Sequence, residues 1–256
     1  MTPWIQRPFD GVLFDLDDTL HDDTSSYTLA ARRVAERIAQ ERRVSADALT
    51  AAYVECAETF WARLSDQHLN MPLSRVRERM WRDALAAVDI DDAELATRAA
   101  VEYNRLRSKN LQLFPGVLPL LEWLRQSGLR TGLITNGFAE THREKLALLQ
   151  LEQAFDATVL ADEVGMVKPD PQIFLHACEL VGVAPQNSVM VGDRYDRDIE
   201  GAARAGLATI WLNLHGAPLS EGRPVPDAIV PSFAAVCAAL GASLRPSRNA
   251  LCPGSV

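Results

Sequence analysis

Hydrophobic and polar positions follow three successive patterns along this 256-residue chain. Near the start, the apolar run Val12-Leu13-Phe14 reads as a buried strand that stops abruptly at Asp15. From Thr24 to about Arg107 the spacing becomes helical. Tyr27, Ala30, Ala31, Val34 and Ile38 recur at steps of three and four, as do Leu49, Tyr53, Cys56, Phe60 and Leu64, then Val76, Met80 and Leu85 after a breaker at Met71-Pro72. Four helices, an inserted bundle, are predicted there.

Beyond Pro115-Gly116 the pattern alternates. Helices are predicted at 117–126, 139–149, 173–181, 198–205 and 233–240, with Pro171 opening the third and Gly182 closing it. Strands are predicted at 129–135, 157–160, 188–191, 208–212 and 228–230. This is the alternation of an α/β, doubly wound parallel sheet. The expected organisation is a core from residues 1–21 and 111–242, a helical insert at 22–110, and a disordered tail at 243–256, where prolines, arginines and small residues show no periodicity.

Charge separates the same segments. Residues 21–110 hold 14 Lys+Arg against 15 Asp+Glu, leaving 12 against 19 elsewhere, so the negative charge is concentrated in the core. Thirteen of the insert's cations are arginines, expected mostly as solvated helix faces paired with acids at i,i+4. The formal charge of -8 argues against a nucleic-acid partner but not against small phosphorylated ones. No apolar stretch reaches the roughly 18 residues needed to span a bilayer, and the first residues lack the apolar segment of a secretory signal, so a cytoplasmic protein without membrane partners is expected, as monomer or homodimer. Cys56, Cys178, Cys237 and Cys252 are scattered, without zinc spacing or a CxxC pair.

The candidate chemistry lies at strand ends. Asp15 and Asp17, one residue apart in Asp15-Leu16-Asp17-Asp18-Thr19, sit at the carboxyl end of the first strand, where open α/β sheets bind ligands. A hard cation such as Mg2+ would offset their repulsion; by itself the run also reads as a polar turn. Leu133-Ile134-Thr135-Asn136-Gly137 ends another apolar strand in a hydroxyl and an amide. Lys168 before Pro-Asp-Pro brings an ammonium, and Gly192-Asp193-Arg194-Tyr195-Asp196-Arg197-Asp198 brings a second acidic group. Nucleophile pair, hydroxyl, ammonium and second acidic group are together the requirements of phosphoryl transfer.

These four stretches, in this order, resemble the motifs of the haloacid dehalogenase superfamily over roughly residues 9–240. The resemblance implies Asp15 as nucleophile, Asp17 as general acid and base, and Thr135 with the Asn136 and Gly137 backbone as phosphate donors. It implies Lys168 as the charge steadying nucleophile and phosphate. It also implies Mg2+ held by Asp15, the Asp17 carbonyl and Asp193, with Asp198 supporting the site. Asp196 is left out as a partner of Arg194 and Arg197. The insert corresponds to the family's mobile cap, with Trp61, His68, Arg75 and Arg79 as candidates on its working surface, and His21 and His142 as candidates at the entrance. The stretches 134–138 and 191–213 are similar to pyrimidine 5′-nucleotidases and N-acylneuraminate-9-phosphatases, implying a nucleoside monophosphate or sugar phosphate as substrate. Phosphomutase and dehalogenase chemistry occur in the same superfamily, and Asp17 counts against the latter. A phospholigand-binding module without catalysis is the further alternative.

Overall fold

All four residues of the first strand, β1 (Gly11–Phe14), are buried, because helices and loops cover both faces of a parallel sheet and leave no polar-out positions. The computed structural model describes residues 9–64 and 71–243. Five further strands follow: β2 (Arg130–Thr135), β3 (Ala157–Leu160), β4 (Ser188–Gly192), β5 (Ala208–Leu212) and β6 (Ala228–Val230). They form one sheet in the order β3-β2-β1-β4-β5-β6, with every neighbouring pair parallel. Starting at β1, the chain builds outward through β2 and β3, then returns to β4 on the other side of β1. The reversal point lies at the carboxyl ends of β1 and β4, where such sheets open a crevice.

Six helices accompany these strands: α5 (Val117–Gln126), α6 (Ala139–Leu148), α7 (Ala161–Val164), α8 (Pro171–Val181), α9 (Glu200–Arg204) and α10 (Phe233–Ser243). Helix α8 shows how local chemistry sets boundaries. Asp170 accepts from the Gln172 N–H, Pro171 occupies the first turn, and Gly182 ends the helix at φ 72°, a conformation glycine adopts without a Cβ penalty. The predicted helix from residue 198 departs from the observed structure. A π-helical turn spans Tyr195–Ile199, and the α-helix starts only at Glu200. Side-chain periodicity does not distinguish such a turn, which occurs frequently at functional sites.

The chain divides into two compact units, the second comprising Asp22–Gln112 and Arg143–Leu149. This second unit carries α1 (Asp23–Glu41), α2 (Ala46–Ala62), α3 (Leu73–Ala86) and α4 (Ala93–Arg107). Asp22, Ser45 and Asp92 cap α1, α2 and α4 through side-chain oxygens. Its centre is aromatic: Tyr53 stacks on Trp81 at 4.3 Å and meets Tyr103 at 4.9 Å. Arg143–Leu149 joins this unit through two polar ties that a linear pattern does not reveal, Lys145 Nζ to Asp23 at 2.9 Å and Ser108 Oγ to Glu144 at 2.7 Å.

The arginines of this unit follow the i,i+4 expectation only in part, with Arg32, Arg79, Arg82 and Arg98 pairing four residues away and Arg37 and Arg42 pairing with acids far along the chain. Arg75, Arg79, Arg82, Arg98 and Arg105 form exposed pairs three or four residues away. Arg107 differs, since it is buried and donates to both oxygens of Asp23 at 2.8 and 3.0 Å. Asp23→Ala therefore removes the carboxylate that the buried Arg107 guanidinium and the Lys145 ammonium share. We expect a loss of about 3–5 kcal/mol from the helical unit, measured by denaturant unfolding. A loss within the range of an exposed pair, under ~1 kcal/mol, would show that water reaches Arg107.

Among the described residues, no helix is long and apolar enough to cross a membrane. Cys56, Cys178 and Cys237 form no disulfide among the described residues, while Cys252, His68 and the expected tail after Ser243 lie outside them.

Candidate active site

Asp15 continues the β1 ladder, its N–H donating to the Val191 carbonyl at 3.0 Å, so its carboxylate leaves the sheet beside the end of β4. The next residues turn tightly. Asp18 adopts φ 59°, a conformation Asp tolerates better than most residues, and its N–H donates to the His21 carbonyl at 2.9 Å. Leu20 N–H donates to the Leu16 carbonyl at 2.9 Å. This turn separates the two candidate acids: Asp15 is buried, whereas Asp17 retains 29% exposure.

Lys168 Nζ lies 2.5 Å from Asp15 Oδ1 and 2.6 Å from Asp198 Oδ1, with all three groups buried. Asp198 uses its other oxygen to accept the Arg194 N–H at 3.0 Å. Both of its oxygens are thus engaged, one as the anchor of Lys168 and one as the brace of the π-helical turn. The close approach needs Gly192, because a Cβ there would fall 2.3 Å from Asp198 Oδ2. Asn136 braces Lys168 from the other side. Its amide donates to the Lys168 carbonyl and accepts from the Lys168 N–H, both at 2.8 Å. The side chain of Asn136 is therefore committed to the lysine loop.

Asp193 reaches the same cluster through Thr19. The Thr19 hydroxyl lies 3.2 Å from Asp193 Oδ1 and 3.4 Å from Asp15 Oδ2, and it accepts the Asp193 N–H at 3.0 Å. Trp211 Nε1 donates to the Asp193 carbonyl at 2.7 Å. Oxygens of Asp15, Asp193 and Asp198 all lie within 4.8 Å of one another. Asp196 is outside this group and pairs with Arg194 at 3.5 Å.

The cluster carries an excess of negative charge. Burial raises Asp15 first, the Lys168 ammonium lowers it, and Asp198 and Asp17 raise it again, leaving it at about 6. Burial, Asp15 and Asp198 together push Asp193 well above the carboxylate range. Burial pulls Lys168 down, but Asp15 and Asp198 overcome it and hold the ammonium above its ordinary range. Lys168 thus contacts two of the three clustered acids directly, and Arg194 only partly offsets the rise of the third. A hard donor set with excess negative charge fits a divalent cation, and Asp15 and Asp193 are the residues with oxygens still able to take one.

The sign for stability follows. A carboxyl raised in the folded state contributes stability that is present below its unfolded value near 4 and lost as pH rises through about 6. In EDTA, the melting temperature of Asp15→Asn relative to the unsubstituted protein should therefore rise between about pH 4.5 and about pH 7. A constant difference would show that Asp15 ionises at an ordinary pH.

Thr135 ends β2, 1% exposed, and its Oγ1 lies 3.1 Å from His142 Nε2. The Ala139 N–H at the start of α6 is already taken by Asp162 Oδ2 at 2.6 Å, so the helix start is partly neutralised before any ligand arrives. Asp17 is turned away from the acidic cluster. Its two oxygens meet His21 Nε2 at 2.8 Å and His142 Nε2 at 3.2 Å.

Asp15, Lys168, Asp193 and Asp198 are thus brought together, and Thr135 is linked to Asp17 through His142. Sequence reasoning missed Thr19 and Trp211. Thr19 lies in the quoted Asp-rich run and reads there as an ordinary turn residue, and Trp211 reads as strand core.

The haloacid dehalogenase-like hydrolase model matches residues 9–206. The chain is 33% identical to glyceraldehyde 3-phosphate phosphatase of Methanopyrus kandleri, over 87% of this chain and 91% of that protein. It is 32% identical to N-acylneuraminate-9-phosphatase of Rattus norvegicus, over 86% and 89%. The crystal structure of a HAD phosphatase from Thermococcus onnurineus superposes with a TM-score of 0.64 at 25% identity, covering 92% of this chain and all of the other. The β1 aspartate with its lysine partner, the parallel sheet around it and these similarities have one common explanation: the chain belongs to the haloacid dehalogenase-like hydrolase family.

Proposed function

We propose that the protein is a magnesium-dependent phosphatase that hydrolyses a small phosphate monoester through an aspartyl phosphate on Asp15. The observation carrying this is the buried Lys168 ammonium, 2.5 Å from one Asp15 oxygen, with the Thr19 hydroxyl linking the other to Asp193. The named phosphatases it resembles act on phosphorylated small molecules, and this chain is a hydrolase of that type.

The chemistry asks mainly for positioning and charge neutralisation of the phosphoryl oxygens. Asp15 attacks phosphorus as a carboxylate, with Lys168 stabilising charge on nucleophile and phosphate. Thr135 offers its hydroxyl and Gly137 its backbone N–H to phosphoryl oxygens. Asp17 delivers a proton to the leaving oxygen, and then takes one from the water that opens the aspartyl phosphate. When bound by Asp15, Asp193 and the Asp17 carbonyl, Mg2+ supplies charge neutralisation that one ammonium cannot provide alone.

Asp17 also distinguishes this reaction from dehalogenation, which has no alcohol to protonate. The natural ester is proposed to be a sugar phosphate or nucleoside monophosphate. The enzyme is taken as cytoplasmic, acting as monomer or homodimer without nucleic-acid or membrane partners, with residues 22–110 serving as its cap.

Purified protein with Mg2+ should release phosphate from p-nitrophenyl phosphate and from one or more of glyceraldehyde 3-phosphate, phosphoserine, a hexose 6-phosphate and the nucleoside 5′-monophosphates. EDTA should stop the reaction, and 2-chloropropionate should yield no chloride. Asp193→Ala should raise the Mg2+ concentration for half activity by about 10-fold or more, equivalent to ~1.4 kcal/mol. Chloride release without phosphate release would replace the phosphatase reading with a dehalogenase one.

A further inference from the structure

We infer that His142 is a positioning residue that holds the proton carrier Asp17 in place, its ring anchored by Thr135 and the Phe138 carbonyl. The inference rests on the phosphatase reading above and adds a residue to it. The Nε2 atom of His142 lies 3.1 Å from Thr135 Oγ1 and 3.2 Å from Asp17 Oδ2, so one atom joins the two groups assigned to the two ends of the scissile P–O bond.

The ring is itself fixed. His142 is 3% exposed, and its Nδ1 meets the Phe138 carbonyl at 3.1 Å; because a carbonyl only accepts, Nδ1 carries the hydrogen of that bond, and Nε2 is then the acceptor for the proton that Asp17 carries as general acid. The backbone makes room for the imidazole at Gly137, where φ is 132° and a Cβ would stand 2.6 Å from His142 Cε1. Asp17 needs such restraint. It is the less buried member of the pair of acids, and the terminal torsion of an aspartate is broad. His21 Nε2 holds the other Asp17 oxygen at 2.8 Å, so the carboxylate plane is defined by two rings. A proton donor must lie within about half an ångström of its productive position, and misplacement by about 1 Å costs on the order of 100-fold.

Removing His142 should therefore harm the reactions that depend most on proton delivery. A nitrophenolate departs without protonation, whereas an alkoxide does not. His142→Ala should lower kcat/KM for the best alkyl ester of the panel by about 10- to 100-fold. For p-nitrophenyl phosphate the loss should stay under about 3-fold, because kcat/KM reports the steps up to departure of the first product. His142→Gln, which restores a polar group at similar reach, should recover the alkyl-ester reaction to within about 5-fold of the unsubstituted enzyme. If the Ala variant fails to fold by circular dichroism, His142→Phe fills the same space without a ring nitrogen and carries the same expectation.

Equal losses for both ester types, or no loss for either, would overturn the positioning role while leaving the phosphatase reading intact. If the unsubstituted protein with Mg2+ hydrolyses neither ester type, the phosphatase reading fails and the role of His142 fails with it.

Discussion

Asp15→Asn is expected to reduce phosphate release by at least about 10⁴-fold, since loss of a covalent nucleophile leaves only the binding and charge effects of the remaining site. The amide occupies the same volume but does not form the acyl phosphate. The fold should survive, because Lys168 keeps its 2.6 Å partner Asp198 and the Asp15 N–H keeps its ladder bond to Val191. Acid quenching with radiolabelled ester should trap label on the unsubstituted chain and none on the variant. Label retained by Asp15→Asn would move the nucleophile elsewhere.

Lys168→Met should be nearly as damaging and should differ in kind. The ammonium neutralises both Asp15 and Asp198 in a fully buried setting, so its removal leaves two carboxylates facing Asp193 without the cation that contacts them. Losing one member of a buried ion pair costs about 3–5 kcal/mol, and losing one preorganised donor to developing charge costs on the order of 100- to 1000-fold in turnover. Metal-free Lys168→Met should thus melt well below the unsubstituted protein. Mg2+ should recover part of the stability and little of the rate, because the cation reduces the charge but does not occupy the lysine's position. Full activity of the folded variant would reduce Lys168 to a structural ion-pair partner.

The two substitutions divide the work of the site between bond making and charge balance. Their contrast also locates the excess negative charge of the core. Asp198 raises Asp15, and Asp15 and Asp198 raise Asp193, because these acids converge at the ends of β1 and β4 instead of spreading over the surface.

Much of the fold is written locally. The apolar runs at 12–14, 129–135 and 188–191 end in polar or small residues because a parallel strand is buried on both faces and the chain must then leave the sheet. Pro171 and Gly182 mark the bounds of α8 because each acts on its own backbone torsion. Strand-end position marks the stretches that carry Asp15, Asp17, Thr135, Lys168, Asp193 and Asp198, and the family resemblance is what singles those residues out within them.

What tertiary structure decided is who meets whom. Thr19 is four residues from Asp15, yet its decisive partner Asp193 is 174 positions away. Asn136 reads as a phosphate-loop residue, but its amide is spent on Lys168, a consequence of the ends of β2 and the lysine loop coming together. His21 and His142 each read as isolated histidines near an entrance, and only the folded chain puts both rings on Asp17. The physical reason is the same throughout. Propensity and periodicity report a residue's own backbone and its near neighbours, whereas hydrogen bonds and charge coupling act across a few ångströms of space between segments far apart in the chain. The sequence by itself therefore determined the strands, the helices and the chemical groups at their ends; their pairing, and the charge balance that pairing creates, were decided by the fold.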